Sequence, residues 1–115
     1  MSFFEDKGLL SLPDLTVLNP KPATIDDLLR VHTVEYVNLI STLAEKNLRY
    51  DADTPVSPQI VEGAMWIIGG TLKVGEAISR EEIDRAIALG CGFHHAGRDY
   101  GGGFCLLNDI AVLVE

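Results

Sequence analysis

No stretch of this chain approaches the roughly 20 consecutive apolar residues that a bilayer-spanning helix needs. Its start, MSFFEDKGLL, follows a short apolar patch with acidic residues, where a secretory signal would have a basic start and a long apolar core. The default expectation is therefore a cytoplasmic location with no membrane association. Basic residues are scarce as well: 9 Lys and Arg stand against 17 Asp and Glu, a formal net charge of -8. A field of that sign repels phosphate backbones and anionic lipid, which argues against nucleic acid as a direct ligand. Cysteine is nearly absent. Cys91 and Cys105 lie in apolar or Gly-rich settings without CxxC spacing, which suits free thiols in a reducing compartment and not a disulfide framework.

What is present is the material of a packed core. The 115 residues are 47% hydrophobic and 23% charged, which fits one globular domain over 1–115, with no repeat or linker to divide it. Residues 1–23 read as an irregular lead-in punctuated by Gly8, Pro13, Pro20 and Pro22, with Leu15–Leu18 as one candidate strand. Thr24 is placed to cap a helix whose first turn carries Asp26 and Asp27, and Leu28, Leu29 and Val31 are expected to face inward. Thr33 caps a second helix, on which Val34, Val37, Ile40, Leu43 and Ala44 recur at helical spacing as far as about Lys46. Residues 47–55 read as a loop. Ser57-Pro58 then opens a long helix that is apolar on most sides, where Gly69-Gly70 permits close approach of another backbone. Ala86–Leu89 is a short apolar run bounded by glycine, expected to be a buried strand, and a further helix is expected from Leu106 onward, with Asn108 and Asp109 near its start. Helix followed by buried strand points to an α/β fold with a parallel sheet.

The chemistry-bearing residues cluster in "GCGFHHAGRDYGGGFCLLNDIAV", residues 90–112. A strand ending in Gly92-Phe93-His94-His95 would deliver two imidazoles to the carboxyl edge of a sheet, where α/β folds gather ligands. One imidazole of such a pair can move a proton near neutral pH while its neighbour tunes it. Two adjacent histidines are equally a common surface feature, and adjacent side chains diverge too much to hold one metal ion easily. Gly101-Gly102-Gly103 lacks the Lys-Ser/Thr of a phosphate-binding loop and reads as a turn. Phe104 is by default a core residue and Cys105 a small buried thiol, although a pocket wall and a nucleophile are the functional alternatives.

The combination His94-His95-Ala96, then Gly103-Phe104-Cys105, then Asn108-Asp109 resembles the histone deacetylase superfamily, which includes acetylpolyamine amidohydrolases and acetoin-utilisation proteins. Upstream, "ATIDDLLRVHTVEYVNLI" and "DADTPVSPQIVEGAMWIIGGTL" resemble that family's early helical segment and its Asp-Thr-Pro loop with the long Gly-Gly helix, so the likeness runs from about residue 8 onward. The resemblance implies a partial arginase/deacetylase-like three-layer fold, cut off after the helix that follows Gly-Phe-Cys. It implies His95 as general base and acid, His94 as its electrostatic partner, and Gly103 and Phe104 as walls of a narrow acyl-lysine or acylamine channel. Asp53 is the matching substrate-contacting rim aspartate, with Asp51 two residues away, and His32 is taken as structural. The substrate implied for the complete enzyme is acetylated lysine or a small acetylated amine.

The resemblance also implies Zn2+, held in the complete fold by an Asp-x-His pair and a further aspartate, with a later tyrosine stabilising the oxyanion. No Asp-x-His occurs in these 115 residues and no histidine follows His95, so no metal ligand is assigned here. Without that Lewis acid the amide carbonyl is not polarised. The expectation is a deacetylase fragment, inactive alone, with a complementary chain or a second copy as partner. A noncatalytic interaction module, one half of a split deacetylase, and a zinc-free hydrolase using Cys105 with His95 are the alternatives.

Overall fold

The computed structural model describes residues 5–115, so residues 1–4 of the lead-in lie outside the described residues. From Leu9 onward, the regular structure consists of α1 (Ile25–Leu28), α2 (Val34–Glu45), β1 (Arg49–Asp51), β2 (Thr54–Pro55), α3 (Pro58–Ser79) and α4 (Asp109–Val114), preceded by a short 3-10 turn at Leu9–Ser11.

Each helix starts where a short polar side chain takes up a first-turn N–H, which would otherwise lack a partner. The Thr24 hydroxyl accepts from the Asp27 amide at 3.2 Å while the Asp27 carboxylate accepts from the Thr24 amide at 2.9 Å, a reciprocal capping box. Thr33 accepts from the Tyr36 amide at 3.1 Å, Ser57 from the Ile60 amide at 3.1 Å ahead of Pro58, and Asn108 from the Ala111 amide at 2.9 Å. The last of these sets α4 at Asp109, three residues later than the sequence pattern suggested, because Leu106 and Leu107 enter the core on a bend before the cap.

The core lies between α2, α3 and α4. Val37, Ile40 and Ala44 of α2 meet Ala64 and Ile68 of α3, and Leu106, Leu107 and Val112 close the third side. Fully burying an aliphatic side chain such as Ile68 or Leu107 contributes roughly 1.5–3 kcal/mol. Of the three apolar residues expected inward on α1, Leu28 is buried, Val31 is half-buried and Leu29 is exposed. The segment before α1 packs on α3, with the Ala23 amide donating to the Met65 carbonyl at 2.8 Å. A Cβ at Gly69 would overlap the Lys21 carbonyl oxygen, so this close approach requires glycine there.

Several expectations are corrected. Residues 47–55 are not a plain loop: β1 and β2 pair antiparallel, Arg49 opposite Pro55 and Asp51 opposite Thr54, with an irregularity between Arg49 and Asp51. The α3 helix is buried along one side only, and Ile60, Trp66 and Ile78 are exposed. Leu15–Leu18 forms no strand. Ala86–Leu89, expected as a buried strand, has no ladder partner and lies exposed, Ile87 at 86%. A buried parallel strand takes hydrogen bonds from neighbours on both sides and cover on both faces, and none is present among the described residues. The parallel sheet is correspondingly not found there; the architecture is a partial α/β arrangement of helices around a small antiparallel hairpin.

Candidate active site

The two histidines sit on a short irregular segment, and its geometry fixes one of the rings. The Gly92 carbonyl accepts from the His94 backbone N–H at 2.8 Å and lies 2.9 Å from His94 Nδ1. A carbonyl only accepts, so Nδ1 carries the hydrogen and Nε2 of the neutral ring holds the lone pair. The ring centroids of His94 and His95 are 4.0 Å apart with planes inclined by 43°. Both residues are exposed, and among the described residues the His95 ring makes no hydrogen bond, which leaves its nitrogens open to water or substrate.

The glycine turn packs directly against His95. Gly102 and Cys105 exchange both backbone hydrogen bonds, at 2.9 and 2.8 Å, around Gly103 at φ 53° and Phe104 at φ 67°. Two successive left-handed residues define the mirror-image type I turn. Glycine suits the first of them, but phenylalanine in that conformation is strained by about 1–3 kcal/mol. Phe104 at the tip of this turn is 73% exposed. A Cβ on Gly103 would sit 3.0 Å from His95 Cδ2, so a larger residue would press on the imidazole.

The hairpin joins this patch through Thr54. Its hydroxyl, on a side chain that is fully buried, accepts from the Phe104 amide at 3.3 Å and donates to Asp53 Oδ1 at 3.2 Å. Asp51 accepts from the Asp53 amide at 3.3 Å and turns its other oxygen toward Gly102. The structure thus brings His94, His95, Gly103, Phe104 and Asp53 into one connected patch, with Asp51 beside Asp53 on the same rim. Thr54, the link between them, escaped the sequence reading, where it passed as part of a polar loop.

The bonds of a second layer escaped it too. Asp109 is 0% exposed, and its carboxylate accepts from the Phe93 amide at 2.8 Å, the Gly92 amide at 3.2 Å and the Thr71 hydroxyl at 2.8 Å. Asn108 donates through Nδ2 to the Ala96 carbonyl at 2.8 Å. His32, 3% exposed, lies 3.2 Å from the Arg98 carbonyl through Nδ1 and accepts the Asn108 amide at Nε2 at 3.1 Å. One partner can only accept and the other can only donate, which requires the neutral ring with hydrogen on Nδ1. Burial agrees, holding the pKa of His32 below its ordinary 6.5. The Tyr36 hydroxyl donates to the Leu106 carbonyl at 2.6 Å, and burial pushes this phenol well above its usual range. His32 as a structural residue and Asn108-Asp109 as part of the motif were read from the sequence, but their partners were not; Thr71, a hydroxyl within the apolar run of α3, was a further signal.

An open cleft of about 440 Å³ borders His94, Val31, Arg98 and Asn108. Neither Gly103 nor Phe104 borders it, so it is not the channel those two residues would wall. Cys105 is buried and its thiol meets the Gly103 carbonyl at 3.5 Å, with no hydrogen bond to His95. Among the described residues no three His, Cys, Asp or Glu side chains gather so as to hold a metal ion. Asp109 is already engaged by three donors and His94 Nδ1 by a carbonyl, so the residues present do not fit a zinc ion.

The family model for the histone deacetylase domain matches residues 2–115. A probable deacetylase of Archaeoglobus fulgidus is 30% identical over the whole chain, and the acetoin utilization protein AcuC of Bacillus subtilis is 30% identical over 95% of it. An uncharacterized protein of Synechocystis is 41% identical over 81%. The chain spans about a third of the length of these relatives, 32%, 30% and 32% respectively. Among solved structures, the HDA15 HD domain superposes with a TM-score of 0.81 at 24% identity, over 98% of this chain and 32% of that one. On the match of nearly all its residues to the domain, this chain belongs to the histone deacetylase family.

Proposed function

We propose that these residues supply the proton-transfer and channel portion of a deacetylase active site, within a single domain to which they contribute one part. The observation that supports the reading is the contiguity of the patch: the stacked His94–His95 pair, Gly103 against the His95 ring, and Phe104 tied through Thr54 to Asp53. In amide hydrolysis the attacking water must lose a proton and the leaving amine must gain one. His95, exposed and without a hydrogen bond, serves as the base and then the acid. His94, its Nδ1–H held on the Gly92 carbonyl, presents Nε2 as the neighbouring acceptor. Gly103 and Phe104 line the path of an aliphatic acyl-lysine or acylamine chain, and Asp53 accepts hydrogen bonds from the substrate at the rim.

Nothing in this patch polarises the amide carbonyl. The zinc that the family implies would be held by residues outside these 115, and alone the chain is inactive. The exposed apolar segment at Ala86–Leu89 favours a polypeptide neighbour, either the remainder of the domain, a complementary chain or a second copy. Two free thiols support a reducing compartment such as the cytoplasm. No helix among the described residues is long and apolar enough to cross a membrane.

The test is a chimera in which residues 1–115 replace the matching third of the Archaeoglobus relative, assayed on an acetyl-lysine peptide and an acetylated polyamine. Turnover that falls by about 10²–10⁴ on His95→Ala supports the reading. Turnover indifferent to His95→Ala contradicts it.

A further inference from the structure

Asp109 and Asn108 belong to a helix cap, yet they do more than start α4. The two adjacent side chains grip the dihistidine segment on either side of the histidines. Asp109 takes the amides of Gly92 and Phe93, immediately before His94, and Asn108 takes the carbonyl of Ala96, immediately after His95. Between these grips lie only His94 and His95, and the hydrogen bonds that hold the backbone of residues 92–96 to the rest of the protein come from this dipeptide. We propose that Asp109 is a positioning residue: its buried carboxylate, anchored to α3 by the Thr71 hydroxyl, sets the backbone from which His94 and His95 stack.

The chemistry favours this role over a purely structural one. A carboxylate buried without a basic partner is costly, and a simple helix start is met equally well by the exposed Ser57 or Thr24 arrangement. Here the charge is balanced only by three donors, two of them main-chain N–H groups of the segment that carries the imidazoles. Charge-assisted bonds of this kind are roughly twice as strong as neutral ones, so the segment is held stiffly although it has no ladder. Asparagine at position 109 is nearly isosteric, but it would turn an NH2 toward donors that need an acceptor.

The role rests on the proposed reading of His94 and His95 as the proton-transfer pair, but its test does not use turnover, so each can fail without the other. In the wild-type chain, NMR hydrogen exchange should find the Gly92 and Phe93 amides as protected as those of α3; free exchange at both would overturn the proposal without any variant. Asp109→Asn should abolish that protection together with the ring-to-ring NOE between His94 and His95. Val112→Ala, one turn further along α4 and equally buried, serves as the control for loss of stability alone and should retain both signatures. Their survival in Asp109→Asn, or their equal loss in Val112→Ala, would reduce Asp109 to an ordinary core residue.

Discussion

Residues 84–90 and residues 105–112 are both apolar stretches near glycine, and their fates are opposite. Leu106, Leu107 and Val112 are buried between α2 and α3, whereas every residue from Asp84 to Gly90 is exposed. The difference lies in partners and not in hydropathy. The second stretch has Tyr36 on its Leu106 carbonyl, His32 on its Asn108 amide and Thr71 on its Asp109 carboxylate, so its polar backbone can be dehydrated. The first has none of these, and its amides stay in water. Apolar side chains follow the backbone inside only when the backbone is satisfied there.

Removing the packing from the buried stretch has the largest expected effect. Leu107→Ala, at a side chain 1% exposed, should cost about 2–5 kcal/mol in urea denaturation. Removing only a polar partner tests the other half of the comparison. Tyr36→Phe leaves the buried Leu106 carbonyl without its donor and should cost about 1–3 kcal/mol, measured the same way; a loss below a few tenths would mean that water replaces the hydroxyl.

The His32 bridge gives the same dependence on polar partners a pH signature. Its folded-state pKa is depressed below the ordinary 6.5, so above that value both states are neutral and its contribution is fully present. As the pH falls through 6.5 the unfolded chain takes up the proton first, and stability is lost progressively down to the folded-state pKa. Urea midpoints measured from pH 7.5 to 5 should decline in the wild type, and His32→Phe, less stable at pH 7.5, should lack that component of the slope. The smallest effect is expected on the bare stretch: Ile87→Ser should change stability by no more than about 0.5 kcal/mol. A larger loss would show that Ala86–Leu89 is packed in solution after all.

The same contrast explains which features were legible in the sequence. The caps at Thr24, Thr33 and Ser57 could be read because each bond spans three residues, whereas the Asn108 cap, of the same span, was passed over for a helix start at Leu106. The dihistidine and Gly-Phe-Cys motifs were legible as a family pattern, and Gly69 as a point of close approach. The grip of Asp109 was not, since its partners Phe93 and Thr71 are 16 and 38 residues away and nothing local distinguishes it from a first-turn acid. Thr54 was hidden in the same way, bonding an amide 50 residues on. The misread strand at Ala86–Leu89 failed for the converse reason: its local pattern was right for burial, but burial depends on neighbours that the pattern does not contain.

The central claim is that the proposed proton-transfer patch is assembled among these residues without a metal-binding set. Elemental zinc analysis of the purified 115-residue chain, with an acetyl-lysine turnover assay on the same sample, tests it most directly. No stoichiometric zinc and no turnover is the expected result. Stoichiometric zinc with chelator-sensitive turnover would contradict the claim, because ligands would then have to come from these residues themselves.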